Sequence, residues 1–135
     1  MLGMNTLKPL PKIFLWAFIL NMIWENIHSN LYVHYKGEEI TDIILFRAAI
    51  FDAVMITLAG FFVMKGYIKL WQAAAALVLF AIGLEWFALE TARWAYTEYM
   101  PIIPIIGTGL TPTIQLGLIA YGIFWFLLRA GREKP

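Results

Sequence analysis

Cysteine is absent from the 135-residue sequence, which excludes a disulfide framework, a thiolate nucleophile, an iron–sulfur site and a cysteine-based zinc site. Charge is scarce as well: 14% of the residues are charged, 10 Lys or Arg and 9 Asp or Glu, with a net charge of +1. A soluble domain carries about 25% charged residues, so this chain has too few to coat a globular core. No basic stripe interleaves with aromatics, and a nucleic-acid partner is excluded. A small-x-small cleavage site is missing after the apolar run Ile13 to Leu20, which Lys8 and Lys12 precede in the manner of a secretory signal. The expectation is a retained helix. Linkers, low-complexity tracts and clear internal repeats are lacking too, so one domain over residues 1–135 is expected.

What is abundant is apolar: 61% of the residues are hydrophobic and the mean hydropathy is +0.73. A bilayer core about 30 Å thick needs roughly 20 helical residues, and four stretches reach that length, at about 11–33, 43–64, 70–93 and 105–128. The first is the least apolar. Short connections imply antiparallel neighbours, so the expected fold is all-α, an integral membrane protein with four transmembrane helices in an up-down bundle. Lys8, Lys12, Lys65, Lys69, Arg129, Arg132 and Lys134 fall on one side, and Glu38, Glu39, Asp42 and Glu98 on the other. The excess of Lys and Arg places both termini in the cytoplasm, with the chain in the inner membrane. Trp71, Trp94, Tyr96 and Tyr99 near span ends suit interfacial aromatic belts.

Ionisable residues in spans cost about 2.5–3.5 kcal/mol each on insertion scales, so they face the bundle interior and pair or serve a function. Glu25, Asp52 and Glu85 lie in three different spans, each roughly 12 Å from the outer boundary at a rise of 1.5 Å per residue. Three acids at one depth point to one site. Residues three, four and seven apart share a helix face, which gathers Asn21, Glu25, His28, Ser29 and Tyr32 into one polar stripe. Asp52 shares a face with Ala48, Met55 and Ala59, and Thr108, Thr111 and Gln115 line up in the fourth span. Gly107, Gly109 and Pro112 are expected to break its outer end. Glu90 and Arg93, spaced i, i+3, are expected to form an ion pair. Trp24 is a candidate wall for an apolar ligand.

Trp24-Glu25-Asn26-Ile27-His28-Ser29-Asn30-Leu31-Tyr32, Phe51-Asp52-Ala53-Val54, Glu85, Arg93-Trp94-Ala95-Tyr96, Met100-Pro101 and Gly107-Thr108-Gly109-Leu110-Thr111-Pro112 with Gln115 form a set of motifs over most of the chain. The set resembles an uncharacterised group of small bacterial four-span membrane proteins. The resemblance implies four spans and marks Glu25, Asp52, Glu85 and Gln115 as motif positions, without an activity. His28 stands where an amide is expected in that group, which weakens a mechanism that depends on histidine.

These residues support several function classes. The leading one is an intramembrane carboxylate site, opening outward, that binds or transports a proton, a cation or a basic small molecule; alternating access without a repeat would need a homodimer. The second is an intramembrane enzyme that uses acid/base carboxylates on a lipid or sterol-like substrate. The third is a structural accessory subunit of a membrane complex. Glu25-x-x-His28 has the spacing of di-metal carboxylate bundles, but those use the motif twice, so neither a metal nor a cofactor is expected.

Overall fold

The computed structural model describes residues 7–130. Four helices dominate it: α1 (Leu10–His28), α2 (Asp42–Met64), α3 (Leu70–Glu90) and α4 (Leu110–Ala130), with a 3₁₀ turn at Ser29–Leu31. Two short strands, β1 (Tyr32–Tyr35) and β2 (Trp94–Tyr96), pair antiparallel. Three of the helices, α2, α3 and the Leu110–Leu128 part of α4, are long and apolar enough to cross a membrane.

The local signals explain most boundaries. Pro11 lies within the first turn of α1, where a missing N–H costs nothing. Thr41 caps α2 by accepting from the Ile44 N–H at 3.4 Å, with Asp42 in the first turn. At the start of α3 the Lys69 N–H donates to Gln72 Oε1 at 2.8 Å.

Three expected boundaries need correction. The first helix ends at His28 rather than Val33, because Tyr32–Tyr35 is an aromatic and β-branched run that takes extended geometry. The third ends at Glu90 rather than Arg93, and Trp94–Tyr96 becomes the partner strand. The fourth begins at Leu110 rather than residue 105: Ile105 and Gly107 have φ of 72° and 81°, left-handed values that no helix contains. The expected break at that end is therefore an irregular loop, tied by Ile103 N–H to Thr108 O at 2.9 Å and Leu110 N–H to Pro101 O at 2.7 Å. The fold is thus mostly helical with a two-stranded ribbon, where strands were not expected.

Away from the ribbon end, Ile13, Ala17, Ile56, Leu77, Leu116, Ala120 and Phe124 form the apolar core. Gly60 lets α2 approach there: a Cβ on it would lie 3.0 Å from the Phe124 ring and 3.1 Å from Ile13. α1 packs mainly on α2 and α3 mainly on α4, whereas α2 and α3 touch sparsely. That leaves space between the helices at the ribbon end.

Candidate functional site

Glu25 lies in the last turn of α1, Asp52 in the ribbon-side half of α2, Glu85 near the end of α3 and Gln115 near the start of α4. All four border one cavity of about 390 Å³, together with His28, Tyr32 and Trp94. The three acids expected at one depth therefore meet one space. Glu25 and Glu85 lie nearer their helix ends than a fully helical reading implies, because the residues beyond them fold back as the ribbon.

Gln115 organises one half of the site. Its Nε2 lies 2.9 Å from Asn21 Oδ1, 2.9 Å from Glu25 Oε1 and 3.0 Å from Asp52 Oδ2. Asn21 is fully buried and donates through Nδ2 to Ala17 O at 2.7 Å, which aims its Oδ1 at Gln115. An amide NH₂ has two hydrogens. Three acceptors around it leave one contact without its own proton. His28 is buried beside them, with Nε2 at 3.0 Å from Glu25 Oε2 and Nδ1 at 3.2 Å from Thr111 Oγ1. Thr111 in turn donates to Met100 Sδ at 3.4 Å.

Glu85 anchors the other half. Tyr32 Oη donates to its Oε1 at 3.4 Å, Trp94 Nε1 donates to its Oε2 at 3.1 Å, and Tyr96 Oη donates to the same Oε2. Tyr96 Oη also accepts from the Gly109 N–H at 3.0 Å, so this carboxylate ties both strands and the loop before α4 to α3. Tyr32 and Tyr96 meet edge to face at 5.4 Å, and Tyr35 stacks on Trp94 at 6.3 Å. Burial, then the bond to Glu85, pushes the Tyr96 phenol well above its ordinary value. It stays protonated and donates that proton to Glu85 while accepting from Gly109.

Other sequence-based expectations are revised. Glu90 and Arg93 form no salt bridge among the described residues; Arg93 instead lies over the Phe87 ring at 5.0 Å and reaches the cavity rim. Chain reversal after Glu90 removes the helical i, i+3 geometry that the pair required. Trp24 packs on the core rather than on the cavity wall, and its indole N–H is buried without a hydrogen-bond partner. Ser29 does border the cavity. Trp94 and Tyr96 donate to Glu85, a role that sequence reasoning missed. Tyr32-x-His34 and Trp94-x-Tyr96 alternate, but each run is only three or four residues long and sits at a helix end, so neither reports the pairing by itself. His34 was unassigned and lines the cavity, as does Arg47, which the sequence offered as an inward-reaching ion partner for the acids. Among the described residues no three His, Asp or Glu side chains are arranged to hold a metal ion. No protein family, curated protein or solved structure matches the chain.

Proposed function

We propose that the chain is an integral protein of the inner membrane, with four antiparallel spans and both termini cytoplasmic, whose acid cavity binds or carries a proton, a cation or a basic small molecule from the outer side. The apolar surface supports the membrane setting: Leu58 is 50% exposed, Leu79 70% and Phe126 69%, on helices of mean hydropathy 2.0, 1.8 and 1.5. Such a surface is costly in water and suited to lipid. α1 joins as a fourth span because Asn21 and His28 are buried while Trp16, Ile19, Ile23 and Ile27 face outward, with Asn26 exposed but its amide bonded to Met22 O. The basic Lys8, Lys12, Lys65 and Lys69 sit at the end away from the ribbon, which supports the orientation; Arg132 and Lys134 lie outside the described residues.

One observation carries the site reading. Carboxyls from α1, α2 and α3 border one cavity, and among the described residues no Lys or Arg forms a salt bridge with any of them. Arg47 and Arg93 both line that cavity, so a structural ion network was available in sequence and is not formed. Glu85 is satisfied by three aromatic donors and serves to fix the walls. Glu25 pairs with His28 through Oε2 and shares the Gln115 amide nitrogen with Asp52 through Oε1, so Glu25 and Asp52 are the carboxyls that lean on one amide and are assigned to take a proton or an external cation. Proton and cation then compete for one pair, which is the logic of a proton-coupled carrier. The likeness to small bacterial four-span proteins suits this reading, since Glu25, Asp52, Glu85 and Gln115 all border the cavity.

The test uses the protein in lipid nanodiscs with n-butylamine as probe. Glu25→Gln keeps the shape and removes the titrating group, so the amine-induced rise in Tm should vanish while the unliganded Tm stays near wild type. A variant destabilised by about 3–5 kcal/mol, as when a buried pair is broken, with amine binding retained, would instead assign the acids to a scaffold.

A further inference from the structure

The cavity is bounded unevenly. α1 and α4 close its back with Glu25, His28, Pro112 and Gln115, and the ribbon roofs it with Tyr32, Tyr35 and Trp94. Between α2 and α3, helices that touch sparsely, the lining outside the acids includes the apolar Ala48, Phe51, Ala81 and Leu84. The seam is crossed by one ring contact, Phe51 on Phe80, with centroids 6.1 Å apart. Both rings are on the outer surface, 44% and 37% exposed. In the four-span arrangement that surface is bathed by acyl chains.

The charged rim points the same way. Arg47 and Arg93, both exposed and neither in a salt bridge among the described residues, line the cavity alongside the ribbon. Two guanidinium groups on the lining disfavour, by like charge, a cation's approach alongside them. The seam residues Ala48, Phe51, Phe80 and Leu84 carry no charge. A ligand coming from the bilayer meets apolar side chains first and carboxyls at the end. Aromatic faces on Tyr32 and Trp94 add attraction for an ammonium group.

We propose that the cavity takes an amphiphilic amine from the membrane, with its ammonium group on the Glu25–Asp52 pair and its apolar chain leaving between α2 and α3 past Phe51 and Phe80. The inference rests on the acid cavity being a cation site and adds the route and the ligand class. The chain's single polar group goes to the carboxyls, and the chain itself keeps to lipid and to the apolar seam, so no polar atom is left unpaired along the path.

The absence of native cysteine permits a direct test. The F51C/F80C double variant in nanodiscs is joined across the seam with a short bis-methanethiosulfonate linker, and binding of dodecylamine and of n-butylamine is measured before joining, after joining and after release by dithiothreitol. Joining should weaken dodecylamine binding by at least about tenfold, reversibly, and change n-butylamine binding by less than about twofold. Equal binding of dodecylamine by joined and released protein overturns the lateral route while leaving the acid site standing. Failure of both amines to bind the released protein and the wild type alike overturns the cation site itself, and this inference with it.

Discussion

Gln115 has one amide nitrogen and three acceptors within 3.0 Å of it, and this shortage of protons distinguishes the Glu25–Asp52 half of the site from the Glu85 half. Glu85 has three donors of its own, two phenols and an indole. Tyr96 offers a check on that half. Its phenol is raised by burial and by Glu85 in the folded chain, whereas an unfolded phenol titrates at about 10. Below that pH both states keep the proton and the Tyr96 contribution is complete. Above it the unfolded state sheds the proton first, so stability falls as pH rises. The stability advantage of wild type over Tyr96→Phe should accordingly be constant below about pH 10 and shrink above it. A difference that stays flat into the alkaline range would contradict the assignment of Tyr96 as a donor.

At the scale of elements, helix contacts turn on two glycines with opposite expectations. A Cβ on Gly117 would lie 2.5 Å from Val78 Cγ2 and 2.9 Å from the Ala74 carbonyl oxygen, so α3 and α4 approach through this position. Gly117→Ala should cost about 1–3 kcal/mol, the usual range for overpacking. A Cβ on Gly83 meets nothing within 4 Å, and Gly83→Ala should be neutral or stabilise α3 by up to about 1 kcal/mol through helix propensity. Denaturation midpoints of the two variants should therefore move apart; a similar shift for both would remove the contact from the account. Helix existence was legible in sequence because long apolar runs announce themselves, and α2 kept nearly its expected bounds at Asp42–Met64. The ribbon was not, because Tyr32, Val33, Trp94 and Tyr96 are as acceptable to a membrane helix end as to a strand. Their pairing joins residues about sixty positions apart, and periodicity along one segment cannot report it. The acid cluster was more legible: each acid is expensive in an apolar span, and that expense alone restricts it to the interior. What the spacing left open was the partner, and Glu90–Arg93 failed because it assumed a helix that had already ended.

For the whole molecule, the proposed topology sends the β1–α2 connection and the α2–α3 connection to opposite faces of the membrane. Glu39 is exposed in the first and Tyr67 is 69% exposed in the second, and neither has the positive φ that makes Gly37 and Gly66 poor choices for substitution. In intact cells a membrane-impermeant maleimide should label Glu39→Cys and spare Tyr67→Cys until the membrane is opened. Labelling of both from outside would defeat the four-span arrangement. The central claim is narrower: Glu25 and Asp52 form one titrating pair that exchanges a proton for a cation. Calorimetric titration of the nanodisc-held protein with n-butylamine, in buffers of different ionisation enthalpy, measures that exchange directly. The account predicts release of about one proton per amine bound near neutral pH, as expected when two ligands compete for one coupled pair, and neither heat nor proton release in Glu25→Gln. Amine binding with no proton exchange, or binding unchanged in Glu25→Gln, would contradict it.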